Sequence, residues 1–313
     1  MSFETPILLI VFNRPDKTQK LFEKIKTIRP KKLFVSADGP RENFKNDKLL
    51  CNETREIFKN IDWDCESKFK FSEKNLSCKT NVIDSINWFF SLNEEGIILE
   101  DDCIPNISFF NFCKVLLEKY KNDSMIMQIN GTNLNINYSN ITDKTYFFSK
   151  LNHTWGWASW KRAWKNFDKN LENYSLAKKN CSIQKYYIDK EISKWMTRYF
   201  DKTNDNSDNI WSTNWSYSIL KKNGLCISPT VNLVKNIGFD GSGTSGKAKT
   251  FSKFFLGDNY EIKNFIHPEE INYDLKYDQK LFYEKIKKVD PRASSFSNFK
   301  DFFSYIKKKL IFK

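Results

Sequence analysis

The amino-terminal half of the chain alternates two hydrophobic rhythms. Ile7–Phe12 is a continuous apolar run, the mark of a strand buried on both faces. From Asp16 the rhythm changes to a helical one, with Leu21, Ile25 and Ile28 on one face and Gln19 placed to complete a capping box. Leu33–Val35 is a second short strand, ended by the turn Ala37-Asp38-Gly39-Pro40. Helical periods follow over 46–60, with Leu49, Leu50, Ile57 and Phe58 inward, and over 79–91. Gly96–Leu99 is a third buried strand and runs straight into Glu100-Asp101-Asp102. A helix over 107–120 and a strand over Met125–Ile129 complete the half. Strands joined by helices predict crossover units, hence a mainly parallel, twisted α/β sheet flanked by helices.

The carboxy-terminal half is less regular. Residues 201–210 read as a polar loop, 211–222 as a helix and 225–237 as strand. Trp155, Trp157, Trp160 and Trp164 partly follow helical spacing, which assigns most of them to a core. His153 reads as a packed or hydrogen-bonded side chain. Gly241–Gly246 alternates Gly with Ser and Thr and reads as a loop. Phe302, Phe303, Ile306 and Leu310 stand at i, i+1, i+4 and i+8 among five lysines, a basic amphipathic helix over 299–313. That pattern suits either an anionic membrane surface or a docked terminal helix with a solvated lysine face.

Charge sharpens the contrast between the halves. The 313 residues carry a formal +13. Residues 1–150 hold 22 basic against 21 acidic side chains, so the excess lies beyond residue 150. No apolar run approaches the roughly 18 residues of a membrane span, and the start lacks a basic secretory leader, so a cytoplasmic protein is expected. Seven scattered cysteines without a CxxC pair argue against a zinc ribbon or redox motif. Diffuse charge without a recognised motif argues against nucleic acid as the partner.

Candidate chemistry gathers at predicted strand ends. Three adjacent carboxylates, Glu100, Asp101 and Asp102, disfavour one another's ionisation unless a cation is near. They fit either a solvated acidic turn before the next helix or a site for Mg²⁺ or Mn²⁺, which bind one or two carboxylates plus phosphate oxygens. Asp38 and Arg14 also follow strands. In an open α/β sheet, groups at the carboxyl ends of successive strands converge on one crevice.

These segments resemble a known family. Ile7–Pro15, Ser36-Ala37-Asp38-Gly39 and Ile97–Asp102 are similar to the nucleotide-sugar half of GT-A (Rossmann-like) glycosyltransferases, of the N-acetylglucosaminyltransferase I type. The resemblance continues through Trp155-Gly156-Trp157, Trp211…Trp215 and Asn236–Phe239, covering roughly residues 5–246. It implies a catalytic domain over 1–246, with a nucleotide-sugar half over 1–130 and an acceptor half over 131–246. Residues 247–313 would be a carboxy-terminal extension ending in the basic amphipathic helix. It further implies that Arg14 holds the nucleotide, that Asp38 accepts from uracil, and that Asp102 ligates Mn²⁺ or Mg²⁺. Asp101 and Glu100 would contact ribose or sugar hydroxyls. Trp155, Trp157 and Trp215 would line the acceptor groove, and Gly241, Ser242 and Gly243 would cradle diphosphate. The implied activity is inverting transfer of a hexosyl or N-acetylhexosaminyl group from a UDP-sugar to a glycan or lipid-linked acceptor in bacterial polysaccharide synthesis. The enzyme would work at the inner face of the plasma membrane through 299–313. The chain departs from the family before Trp215, where a carboxylate base is usual and Asn214 stands instead; Asp208 is the nearest substitute. Ser245 stands where relatives often carry His. A non-catalytic nucleotide- or glycan-binding relative is the alternative.

Overall fold

A computed structural model gives the fold and describes residues 3–134, 136, 138, 141–208, 210–239, 262, 264–290 and 292–293. Its strands are β1 (Ile7–Val11), β2 (Lys32–Ala37), β3 (Glu66–Phe71), β4 (Glu95–Glu100), β5 (Cys103–Pro105), β6 (Ile126–Asn130), β7 (Tyr146–Ser149), β8 (Trp157–Trp160), β9 (Leu225–Pro229) and β10 (Val234–Asn236). The helices are α1 (Pro15–Ile28), α2 (Asp47–Glu56), α3 (Cys78–Leu92), α4 (Ile107–Lys119), α5 (Lys161–Trp164), α6 (Tyr174–Lys179), α7 (Ser182–Tyr187), α8 (Lys190–Asn204), α9 (Trp211–Lys221) and α10 (Leu275–Leu281).

Eight strands form one sheet in the order β3-β2-β1-β4-β8-β6-β9-β7. β3, β2, β1 and β4 are parallel neighbours, and β6 pairs parallel with β9. β8 and β7 are the antiparallel exceptions. The architecture is thus the expected mixed α/β, mainly parallel sheet flanked by helices. The apolar runs are explained by cover on both faces. Leu8, Ile10, Phe34 and Ile98 pack into one core with α3 and α9. Ile7, Leu9, Val11, Leu33, Val35, Ile97 and Leu99 pack into the other with α1 and α4.

α1 starts at Pro15, whose fixed φ and missing N–H suit a first helical position. Gln19 does not close a capping box; its amide bonds Glu23 along the helix. α1 ends at Arg29 in the left-handed region, φ 51°. Other expectations shift at the edges. Leu49 points out, 60% exposed, because α2 turns a different face to the sheet. The 225–237 segment is two strands, β9 in the main sheet and β10 in a small antiparallel pair with β5. α8 runs through Asn204, so the polar loop begins only at Asp205. Trp157–Trp160 is strand rather than helix, because it fills the gap between β4 and β6.

The described carboxy-terminal residues are stitched to the sheet's far edge. The buried Asp278 of α10 accepts from Ser149 Oγ (2.5 Å) and Lys150 N (3.0 Å). Asp290 accepts from Trp195 Nε1 (3.1 Å) and Tyr199 Oη (2.5 Å) on α8.

Candidate functional site

Strand order reverses at β1: β2 and β3 lie on one side and β4 on the other. Parallel strands on both sides of such a reversal leave their following loops diverging, which opens a crevice at the carboxyl ends. Arg14 stands three residues past the end of β1, Asp38 directly follows β2, and Glu100 ends β4. Topology alone therefore brings the sequence-derived polar residues to one sheet edge.

The guanidinium of Arg14 forks across the acidic cluster. Its Nη2 and Nε (3.0 Å) bond the two Asp101 oxygens, and Nη1 donates to Asp102 Oδ2 at 3.1 Å. A planar fork on a carboxylate is the strong, orientation-specific form of ion pair. Asp101 is only 2% exposed, so it serves the interior of this cluster and not an open ribose-binding face. The role expected for it is corrected on that ground. Arg14, likewise, is spent first on its carboxylates. Burial opposes its charge, yet Asp101 and Asp102 hold it above the ordinary arginine range.

One guanidinium does not balance three carboxylates. Burial, then Asp102 and Asp101, push the Glu100 carboxyl up to about 8. Burial pushes Asp101 up to about 6 despite the pull of Arg14. Lys17 also faces Asp101, and with Glu100 largely protonated the cluster is close to neutral; a cation at its mouth would favour ionisation of Glu100. Asp102 is the member at the mouth, its side chain 16% exposed. The β5–β10 pair presses on it: Asn236 Nδ2 donates to Oδ1 at 3.3 Å and Ile237 N to the main-chain oxygen at 2.8 Å. A side chain at Gly238 would run into the Asp102 carboxylate, so glycine is required there by close approach. Asn236 and Gly238 belong to the segment quoted in the resemblance, but only the strand pairing reveals whom they touch.

Asp38 is locked by its surroundings. Its Oδ1 accepts from Gly39 N and Leu76 N, both at 2.8 Å, and Oδ2 from Asn75 Nδ2 at 3.1 Å. Burial raises its carboxyl even so. These bonds fasten the 74–77 loop over the end of β2. Arg55 reinforces the same corner by donating to the carbonyls of Asp38 (3.1 Å) and Ser72 (2.7 Å). Neither Asn75 nor Arg55 had any sequence signal beyond its polarity.

The first turn of α3 faces this crevice. Burial, then Glu100, push the Cys78 thiol up to about 12. Lys79, next along, is lowered by burial and then by Lys169, while Asp208 pulls it back. Asp208 therefore lies near the start of α3. It is already paired: Arg292 Nη1 donates to it at 2.9 Å. Asn214, in the position of the missing carboxylate, is fully buried and donates to the carbonyls of Asp168 and Lys169.

The aromatic side differs from expectation. Trp157 and Trp215 are 1% and 0% exposed and pack with Trp164 and Trp211 in one core. Trp215 Nε1 donates to Gln128 Oε1 at 2.6 Å. They are structural side chains and line no groove. Trp155 is half-buried, edge-on to Phe239, and remains at the sheet's carboxyl edge. His153 is held through its main chain, its N–H on Asn130 Oδ1 and its carbonyl accepting from Gln128. Its Nε2 has no partner among the described residues, and burial lowers the ring to about 4, so it is neutral. Gly241, Ser242, Gly243, Ser245 and the segment 299–313, expected to be helical, lie outside the described residues.

The donor set suits a hard divalent cation held by one carboxylate. Among the described residues no three His, Cys, Asp or Glu side chains form a cage for a metal. Mg²⁺ and Mn²⁺ complexes of phosphate esters need none, since substrate oxygens and water fill most positions. Among the described residues no helix is long and apolar enough to cross a membrane.

No family model matches this chain, and no curated protein matches it. Among solved structures, the crystal structure of HddC from Yersinia pseudotuberculosis overlaps 50% of this chain and 77% of that one. The identity is 8% and the TM-score 0.30, too low to carry a conclusion about fold or function.

Proposed function

We propose that the protein is a metal-dependent glycosyltransferase that moves a hexosyl or N-acetylhexosaminyl group, with inversion, from a UDP-sugar to a glycan or lipid-linked acceptor. The observation that carries this reading is the convergence of Arg14, Asp38 and Glu100-Asp101-Asp102 on the crevice where the strand order reverses. Asp102 would hold Mn²⁺ or Mg²⁺, which when bound offsets the charge of the departing diphosphate. The chain's own part is positioning. Arg14 keeps Asp101 and Asp102 in fixed orientation, and the Asp38–Leu76 clasp shapes the wall beside the nucleobase. Trp155 offers an aromatic face at the sheet edge where an acceptor sugar would stack.

Calorimetry with UDP and Mn²⁺ tests the reading. UDP is expected to bind with Mn²⁺ and to lose that dependence in Asp102→Ala. Absence of UDP binding to the wild type would refute the proposal. A second reading, a non-catalytic nucleotide- or glycan-binding relative, is favoured by the burial of Asn214 and the pairing of Asp208 with Arg292. UDP binding without sugar transfer to any glycan acceptor would select it.

A further inference from the structure

A cavity of about 580 Å³ lies away from the carboxylate crevice, between α2, the turn that follows it and the edge strand β3. Its walls follow from strand periodicity. Cys65, Ser67, Phe69 and Phe71 alternate along the segment and all face the cavity. The intervening Lys68 and Lys70 turn to the opposite face, where Lys70 pairs with Asp84 of α3 and Lys68 lies over the Phe34 ring. Phe69 and Phe71 remain 46% and 40% exposed, with ring centroids 5.5 Å apart. Two neighbouring phenyl rings left this open on a strand lose hydrophobic stabilisation that a bound apolar group would restore.

The polar part of the wall is cationic. Arg55 lies 5.2 Å from the Phe71 ring centroid and spends Nη2 on two carbonyls. Its Nε is buried and has no hydrogen-bond partner among the described residues. A buried donor without an acceptor costs about 1–3 kcal/mol, so it calls for an acceptor. Lys59 and Glu56, also on the wall, pair with each other at 2.6 Å, so Arg55, whose charge also reaches the Asp38 carboxylate, is the wall's remaining cation. The volume falls within the roughly 300–1,000 Å³ of small-molecule sites.

We propose that this cavity is a second binding site, for an apolar ring-bearing anion of the aryl carboxylate class. The ring lies against Phe69 and Phe71, and the carboxylate pairs with the guanidinium of Arg55 on the wall. The site does not depend on the glycosyltransferase reading, since Arg14 and Asp102 take no part in it.

The test uses 1-naphthoate on the full chain, with its neutral analogue 1-naphthamide as control. Saturable binding of naphthoate is expected, weakened at least about tenfold for the amide, as befits loss of a charge-assisted bond. Phe69→Asp, at an exposed position that leaves the core intact, is expected to weaken it similarly. Arg55→Gln should do the same, but it also loosens the Asp38 corner, so Phe69→Asp decides if that variant misfolds. Cys65 reports location: saturating naphthoate should slow its alkylation by N-ethylmaleimide, mapped by mass spectrometry, and leave the exposed Cys181 unchanged. Equal affinity for the amide, wild-type affinity in Phe69→Asp, or an unchanged rate at Cys65 would each overturn the proposal.

Discussion

The two sides of the crevice treat their distinctive residues in opposite ways. On the β1–β4 side, the charged residues that stand out in the sequence meet at one point. On the β6–β9 side, the tryptophans that stand out disappear into the core: Trp157 and Trp215 are buried and only Trp155 stays near the surface. The difference is one of solvation. A carboxylate at a strand's end is excluded from an apolar interior unless paired, so its position in the sequence constrains its position in space. An indole is at home in a core and on a sugar, so its presence constrains neither.

Replacing Trp215 by Ala gives the sharpest test of that contrast. Loss of a fully buried indole and of its bond to Gln128 is expected to cost about 3–5 kcal/mol in denaturant unfolding. A groove residue would leave stability almost untouched and lower acceptor binding instead. On the other side, Arg14→Met should cost about 3 kcal/mol by leaving Asp101 buried without its partner. If the variant unfolds like the wild type, the cluster does not depend on its guanidinium.

A third experiment compares carboxyls across the two sides. Burial pushes Asp278 up from 3.8 to about 7. A carboxyl raised on folding stabilises fully below its unfolded value. The contribution of Asp278 to stability should therefore decline as pH rises from about 4 to 7 and level off beyond. Asp278→Asn should remove that part of the slope in unfolding curves taken across the range; an unchanged slope would assign it elsewhere. The smallest effect is expected from Asp208→Asn. Its ion pair with Arg292 is partly exposed, so stability should change by less than about 1 kcal/mol. Undiminished sugar transfer in this variant would exclude Asp208 as the base, and loss of transfer with stability intact would support it.

How much of this was legible follows the same logic. The strands over Ile7–Val11 and Gly96–Leu99 announce themselves because cover on both faces demands unbroken apolar runs. β3 did not, because an edge strand with alternating Lys and Phe carries no such run. β8 looked helical because four residues are too few to set a period and its tryptophans continue into α5. At the site, Arg14 and Asp102 could be read from strand ends. The clasp of Asp38 by Leu76 and Asn75, and the approach of Gly238 to Asp102, join residues 37 to 136 positions apart. Pairings of that span leave no local pattern.

β8 also sets a timetable. It covers the edge of β4, yet residues 157–160 are made about 60 residues after β4 is complete. At 5–20 residues per second the growing chain displays that apolar edge for roughly 3–12 s. During that interval β4 is an open template for any other unpaired strand. Chains released before residue 157 would keep the edge permanently, and their fate would be aggregation rather than a half-built fold.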